Sequence, residues 1–212
     1  MHKGCFITVE GGEGAGKTTV LDRIETTLKN KGFSVLRTRE PGGIRISEQI
    51  RAIILNVNHT EMDSRTEALL YAAARRQHLV EKIIPALREG YIVLCDRFID
   101  SSLVYQGFAR ELGLDAVKAI NDFAIDGHMP DLTLYFDVNP NIGLKRIREN
   151  DERELNRLDL ETMQFHELVR KGYHLVYQKN KRRIKWIDAN KEFDDVYHEA
   201  LNQIIMFLSS RH

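Results

Sequence analysis

A chain of 212 residues is long enough for one domain, or at most two, and it can bury a continuous apolar core without a disulfide or a metal ion to stabilise it. Lys and Arg total 31 and Asp and Glu total 31, so no overall positive field attracts nucleic acid or an anionic membrane surface. Both cysteines lie in short apolar runs, which indicates reduced core thiols and a reducing compartment rather than a disulfide.

Strand and helix patterns alternate from the N-terminus. "CFITVE" (residues 5–10) predicts a buried strand, and "TTVLDRIETTLKNKG" (18–32) predicts a helix that stops at its final glycine. A second strand follows at "FSVLRTR" (33–39). Residues 46–57, "ISEQIRAIILNV", carry isoleucines at helical spacing and therefore predict a second helix.

The same alternation continues through the rest of the chain. A long helix is predicted from about residue 63, and Pro85 should kink or divide it. "YIVLCD" (91–96) and "DLTLYFDV" (131–138) are continuous apolar runs closed by aspartate, as in strands buried on both faces of a parallel sheet. "RIKWIDA" (183–189) is a weaker fifth strand, and the chain ends in a helix with one apolar stripe.

Alternating strands and helices imply right-handed crossovers. The predicted fold class is therefore α/β, an open five-stranded parallel sheet with helices on both faces. We see no repeat or linker, so residues 1–212 are expected to form a single domain. "NDEREL" (150–155) is charged and has no apolar anchor, and we expect a short lid at about 149–157.

A phosphate-binding loop connects the first strand to the first helix. Gly11 to Thr18 matches GxxxxGK followed by Thr, in the strand-loop-helix context that this motif requires. Backbone N–H groups converge on phosphate there, Lys17 reaches the β and γ oxygens, and the Thr18 hydroxyl should bind magnesium. The predicted ATP-binding residues are Gly11, Gly12, Glu13, Gly14, Ala15, Gly16, Lys17, Thr18 and Thr19.

Binding of ATP alone leaves the reaction open. A switch GTPase needs a guanine-reading NKxD segment, and the nearest stretch, "NKEFDD" from Asn190, does not match it. Phosphoryl transfer to a small molecule instead requires a second anion site that faces the loop. Three stretches fit such a site: "TREPGG" (38–43), "YAAARRQH" (71–78) and "DRFIDSSLVYQG" (96–107).

Together with the loop, these three stretches resemble the thymidylate kinase family, P-loop enzymes of the nucleoside monophosphate kinase type. Members transfer the γ-phosphoryl of ATP to dTMP. The resemblance runs in the same order from Phe6 to about Asp188. The loop alone is generic, whereas the three other motifs together are specific to this family.

The resemblance implies a role for each matching residue. Arg51 and Arg97 would hold the dTMP phosphate, in keeping with the need of a dianion for fixed bidentate donors. Asp96 would hold magnesium through water. The thymidine pocket would consist of Arg75 at the base O4, Gln106 at the N3 edge, Tyr71 stacked on the ring, Ser102 beside it, Tyr105 against the sugar, and Glu40 and Pro41, with a cis bond, as a second wall.

Two charges near the loop also receive roles from the resemblance. Glu13 would face the acceptor sugar and help to place it. Some family members carry an arginine in the loop and others supply it from the lid; this loop has none, so Arg153 is our candidate for the catalytic cation. Arg157 is the second candidate and Arg148 stays open. The predicted catalytic residues are Lys17, Arg97, Arg153 and Glu13.

The predicted function is therefore phosphorylation of dTMP by ATP with Mg²⁺, giving dTDP and ADP for DNA precursor synthesis. One alternative is a kinase for another nucleoside monophosphate or a deoxynucleoside. An alternative of another class is a non-catalytic nucleotide-binding switch protein. We expect a cytoplasmic homodimer, paired through the long helices as the resemblance implies, that binds neither nucleic acid nor a membrane.

Overall fold

A parallel sheet forms the centre of the molecule. The structure is a computed structural model that describes residues 4–149 and 157–211. Within those residues there is one five-stranded sheet of order β2-β3-β1-β4-β5, and every neighbouring pair is parallel. Its strands are β1 Cys5–Gly11, β2 Val35–Arg39, β3 Ile92–Asp96, β4 Leu132–Asp137 and β5 Ile184–Asp188. The predicted fold class is confirmed, and each predicted strand differs from the observed one by no more than two residues at either end.

Helices connect the strands and cover the sheet. They are α1 Lys17–Asn30, α2 Arg45–Leu55, α3 Ser64–His78, α4 Ile84–Arg88, α5 Ile99–Ser102, α6 Leu114–Ile125, α7 Pro140–Arg148, α8 Met163–Lys179 and α9 Phe193–Ser209. Two π-helical segments, Leu79–Ile83 and Leu103–Ala109, continue α3 and α5, and a 3₁₀ turn spans Arg157–Leu160.

Pro85 divides the long helix as the sequence predicts. The segment Leu79–Ile83 is π-helical and separates α3 from α4, in which Pro85 occupies the first turn. Ile84 N–H donates to the carbonyl of Leu79 five residues earlier, which is the π pattern. The wider turn lies next to Pro85, which has no backbone N–H to donate.

Apolar residues alternate between the two faces of the sheet. On β1, Ile7 and Val9 face a core shared with α1 and α9, whereas Phe6 faces a second core with the π-helical segment Leu79–Ile83 and α4. On β4, Leu134 belongs to the first core and Tyr135 to a third, which packs under α8. Both faces are covered, which explains why the strands read as continuous apolar runs.

The strand order positions the site. The chain leaves β1 toward β2 on one side of the sheet, and it leaves β4 toward β5 on the other. Ligands of open α/β folds bind outside the carboxyl ends of the strands where the direction of connection reverses. Among the described residues, no helix is both long and apolar enough to cross a membrane.

Candidate active site

A cavity of about 1030 Å³ opens at the carboxyl ends of the strands. The phosphate loop from Glu13 to Thr19 forms one end of it. Asp96 and all nine residues predicted to bind the acceptor also line it, namely Glu40, Pro41, Arg51, Tyr71, Arg75, Arg97, Ser102, Tyr105 and Gln106. The tertiary structure thus brings the residues predicted to bind donor and acceptor to one cavity, although they are spread over 94 positions from Glu13 to Gln106. Gly11 and Gly12, the first two residues of the loop, do not line this cavity.

The phosphate loop turns directly into α1. Gly16, the residue before the helix, has φ of 77°, a left-handed conformation that glycine adopts without a steric penalty. The Lys17 ammonium donates to the carbonyls of Gly11 at 3.1 Å and Gly12 at 2.9 Å. Burial, with the nearby charge of Arg97, lowers the pKa of Lys17 to about 8. The charge of the Lys17 side chain therefore depends on the groups around it.

Glu13 forms an ion pair with Arg97, the arginine predicted to bind the acceptor phosphate. Its Oε1 accepts a hydrogen bond from Arg97 Nη2 at 2.6 Å and another from the Tyr105 hydroxyl at 3.1 Å. The two charged side chains are only 17% and 9% exposed, so the pair is largely desolvated. The carboxylate in the phosphate loop is thereby stabilised by a cation at the end of β3.

The backbone of Arg97 is strained and its guanidinium is held on several sides. The residue has φ of 68°, which is uncommon for a residue with a side chain and occurs often at functional sites. Its Nη1 donates to the Gly11 carbonyl at 3.0 Å and to the Tyr105 and Tyr173 hydroxyls at 3.3 Å. Burial lowers the pKa of Arg97, but Glu13, Tyr105, Tyr173 and Asp96 together outweigh burial and hold that pKa well above its ordinary value. Arg97 is a fixed, fully charged donor.

The two predicted metal ligands lie side by side. The Thr18 hydroxyl donates to Asp96 Oδ2 at 2.8 Å. A hydroxyl and a carboxylate are the hard oxygen donors that Mg²⁺ prefers, and Mg²⁺ sites in kinases commonly use few protein ligands beside substrate phosphates. The residues present therefore fit magnesium.

Arg75 is almost completely buried. Its side chain is 2% exposed; Nε donates to Glu40 Oε2 at 2.7 Å, and Nη1 donates to Ser102 Oγ at 3.0 Å and to Asn121 Oδ1. The other terminal nitrogen, Nη2, makes no hydrogen bond to a described residue. It is the donor that Arg75 has left for a ligand in the cavity that the residue lines.

Gln106 is held in a similar way. The residue is 1% exposed, and its Nε2 donates to Glu67 Oε1 at 2.7 Å. Tyr71 also lines the cavity, and burial raises the pKa of its phenol, which keeps the ring neutral. The residues that the resemblance assigns to the base therefore all line this cavity.

The second wall of the cavity is formed by the turn after β2. The Glu40–Pro41 peptide bond is cis, as the resemblance implies. Arg51 Nη1 donates to the Pro41 carbonyl at 3.0 Å, which fixes α2 against this turn. His78 Nδ1 lies 3.0 Å from Glu40 Oε1, so Glu40 also connects the turn to α3.

Several residues that build the site were missed at the sequence level. Glu67 supports Gln106, Asn121 supports Arg75, and the Tyr173 hydroxyl contacts Arg97. One usable signal existed: Glu67, Tyr71 and Arg75 are spaced by four residues and so share a face of α3. Asn121 and Tyr173 carry no comparable signal, because they lie on helices that only the fold brings to the site.

The candidate lid arginines differ in their surroundings. Arg153 lies outside the described residues. Arg157 is buried, donates from Nε to the Ile54 carbonyl at 3.1 Å, and pairs through Nη2 with Glu67. Arg148 is exposed at the last position of α7. In this conformation Arg157 is therefore engaged in supporting α3, while Arg148 faces solvent.

Comparisons with known proteins agree with this geometry. The thymidylate kinase family model matches residues 9–200. Thymidylate kinases of Halalkalibacterium halodurans and of a Geobacillus species are 61% and 62% identical to this chain. Each match covers 99% of this chain and 100% of the relative. The crystal structure of thymidylate kinase from Ehrlichia chaffeensis superposes with a TM-score of 0.76 at 31% identity, covering 95% of this chain and 98% of that one.

A phosphate loop facing a cavity lined by the buried Arg75 and the half-buried Arg51 and Arg97 is typical of a P-loop kinase of small molecules. The matches narrow that class further. The chain belongs to the thymidylate kinase family.

Proposed function

We propose that the enzyme transfers the γ-phosphoryl of ATP to dTMP, giving ADP and dTDP for DNA precursor synthesis. The observation that carries this proposal is that the phosphate loop, Arg97 and the buried residues Arg75 and Gln106 all line the same cavity. Membership of the family supports the choice of dTMP as acceptor.

The acceptor phosphate is held by Arg97 and Arg51. Both line the cavity, and Arg97 is immobilised by its bonds to Glu13 and to the Gly11 carbonyl. A phosphate oxygen of dTMP attacks the γ-phosphorus in line, the bond to the β-γ bridging oxygen breaks, and ADP leaves. Catalysis consists of positioning and electrostatics, and no covalent enzyme intermediate is required.

Thr18 and Asp96 would hold magnesium, Asp96 through water. When bound, the ion supplies positive charge that offsets charge developing on the phosphate oxygens. Lys17 binds the β and γ oxygens from the loop, and Glu13 keeps Arg97 and Tyr105 on the acceptor side.

The lid at 149–157 supplies the remaining cation in this proposal. The loop residues Glu13, Gly14, Ala15 and Gly16 include no arginine, so Arg153 is assigned to the transferring phosphoryl.

The decisive experiment measures acceptor-dependent release of ADP from ATP and Mg²⁺. The panel is dTMP, dUMP, dCMP, dGMP, AMP, UMP, thymidine and no acceptor. Strongest stimulation by dTMP is the expected result. Stimulation by another acceptor would overturn the assignments of Arg75 and Gln106, and ATP binding without stimulation by any acceptor would favour a binding protein.

We also propose that two copies pair through α3 and α6. These helices contact each other and expose apolar side chains, with Phe123 89% exposed and Leu69 56% exposed. Pairing would remove this surface from water. Light scattering should give twice the chain mass, and Phe123→Asp should shift it toward one chain mass.

A cytoplasmic location completes the proposal. Cys5 and Cys95 are buried free thiols, as expected of a protein in a reducing compartment. Cell fractionation followed by immunodetection tests it, and recovery with the membrane or secreted fractions would contradict it.

A further inference from the structure

Glu67 lies behind the side-chain amide of Gln106, a residue that lines the cavity. Glu67 is on α3, is 1% exposed and does not itself line the cavity. Glu67 Oε1 accepts from Gln106 Nε2 at 2.7 Å. Its other oxygen accepts from Arg157 Nη2, and Arg110 Nη2 lies 3.6 Å from the same atom. Two guanidinium groups therefore offset the cost of burying this carboxylate.

The carboxylate fixes the orientation of the Gln106 amide. An ionised carboxylate can only accept hydrogen bonds, so a neighbouring amide must turn its NH₂ group toward it. Gln106 Oε1 then points away from Glu67, and it makes no hydrogen bond to a described residue. The group that Gln106 offers to the cavity is therefore an acceptor.

Arg75 offers the complementary group. Glu40, Ser102 and Asn121 bind its Nε and Nη1, which leaves Nη2 as a donor. A cavity that offers one donor and one acceptor matches a carbonyl next to a ring N–H, the imide edge of thymine and uracil. Cytosine presents an amino group and an unprotonated ring nitrogen there, so donor would meet donor and acceptor would meet acceptor.

We infer that Glu67 is a positioning residue that selects the imide edge of the acceptor base by holding the Gln106 amide with its oxygen toward the cavity. This inference rests on the proposed function and deepens it, because it names a residue that sets base specificity without touching the base.

The test compares Glu67→Gln with wild type in dTMP and dCMP kinetics. A glutamine at position 67 offers both a donor and an acceptor, so the Gln106 amide becomes free to turn. We expect kcat/KM for dTMP to fall about tenfold or more, mainly through KM, and the dTMP to dCMP ratio of kcat/KM to fall at least about tenfold. The KM for ATP should stay within about twofold of wild type.

Two further variants separate this role from a loss of packing. Glu67→Asp keeps the carboxylate and should retain the dTMP to dCMP ratio even if its shorter reach lowers activity. Glu161→Gln makes the same chemical change on the other carboxylate that pairs with Arg110, at 2.5 Å, and should leave the ratio unchanged. If Glu67→Gln does not fold, Glu67→Asn against Glu67→Asp repeats the comparison at equal length.

A double-mutant cycle tests whether Glu67 acts through Gln106. In a Gln106→Ala background, Glu67→Gln should have no further effect on the dTMP to dCMP ratio. An equal effect in both backgrounds, or an unchanged ratio in folded Glu67→Gln, would overturn the inference. Failure of the proposed function looks different, because wild type itself would then show no preference for dTMP.

Discussion

At the residue scale, Glu13 and Arg97 form one unit although they lie 84 positions apart in the chain. Each would be costly to bury alone, and each is held by the other together with the Tyr105 hydroxyl. The loop therefore carries a buried carboxylate at little electrostatic cost, and that carboxylate keeps the Arg97 guanidinium fixed. Donor and acceptor sites share this contact.

The ion pair leads to a first prediction. Glu13→Gln keeps the shape of the side chain and removes its charge, so Arg97 loses a charge-assisted hydrogen bond of roughly 1.5–3 kcal/mol. We expect kcat/KM for dTMP to fall by at least about tenfold, with ATP affinity close to wild type. Steady-state kinetics and binding of a fluorescent ATP analogue measure the two effects. Glu25→Gln, which changes an exposed pair on α1, is the control. Loss of ATP binding alone would contradict the prediction.

Lys17 leads to a prediction about pH. Burial lowers its pKa to about 8 in the free enzyme, and the charged ammonium is the form that binds phosphate. The lysine is charged below about pH 8 and neutral above it, so kcat/KM for ATP should fall about tenfold for each pH unit above that value. Initial rates from pH 6.5 to 9.5 test this, with circular dichroism at each pH to verify folding. A flat profile to pH 9.5 would refute it.

At the element scale, α7 supports the phosphate loop by backbone contact. An added Cβ at Gly143 would overlap the carbonyl oxygen of Glu13, and one at Gly14 would overlap the carbonyl oxygen of Gly143. Two glycines therefore let the loop and the helix approach more closely than side chains permit. This backbone contact holds the loop against α7.

Gly143→Ala tests this contact. In an exposed helix interior the same change stabilises by about 1 kcal/mol, because alanine has the higher helix propensity. Here we expect the opposite effect: overpacking should lower the free energy of unfolding by about 1–3 kcal/mol, and the KM for ATP should rise because the loop shifts. Thermal unfolding and ATP kinetics measure both. Lys145→Ala, an exposed position of α7, is the control, and a stabilised Gly143→Ala with normal KM would refute the prediction.

At the scale of the whole molecule, the strand order of the sheet brings the residues of the cavity together. Its order places β1 between β3 and β4, so the phosphate loop that follows β1 lies beside Arg97, which follows β3. The connection from α7 to the turn Arg157–Leu160 carries the proposed lid. Closure of a lid over such a cavity excludes water and adds a cation to the transferring group.

The lid proposal predicts a large and selective effect. Arg153→Ala should lower kcat by about 10³-fold or more while ATP binding barely changes, because the cation acts on the transition state. Single-turnover kinetics with dTMP measure it, and Arg182→Ala, an exposed arginine away from the cavity, is the control. Near-normal turnover would refute the assignment, and comparable losses in Arg148→Ala or Arg157→Ala would identify the residue instead. For Arg157→Ala we expect mainly a raised KM for dTMP, through its contact with Glu67.

The sequence predicted the strands within two residues because strands buried on both faces read as continuous apolar runs, a local pattern. It also indicated which residues are candidates for binding the ATP phosphates and the acceptor, because the loop motif and the short motifs at strand ends are local as well. It did not indicate the partners of those residues. Glu67 and Asn121 hold Gln106 and Arg75 from other elements, and no spacing along the chain encodes a contact between α3 and α6.

The sequence by itself therefore determined the fold class, the phosphate loop and the identity of the charged groups around it. Only the tertiary structure decided that Glu13 pairs with Arg97, that Glu67 orients Gln106, and that Arg157 is buried against α3. The physical reason is range: periodicity and turn chemistry act over a few residues, whereas the orientation of a buried polar group depends on whichever distant group folding places within hydrogen-bond distance.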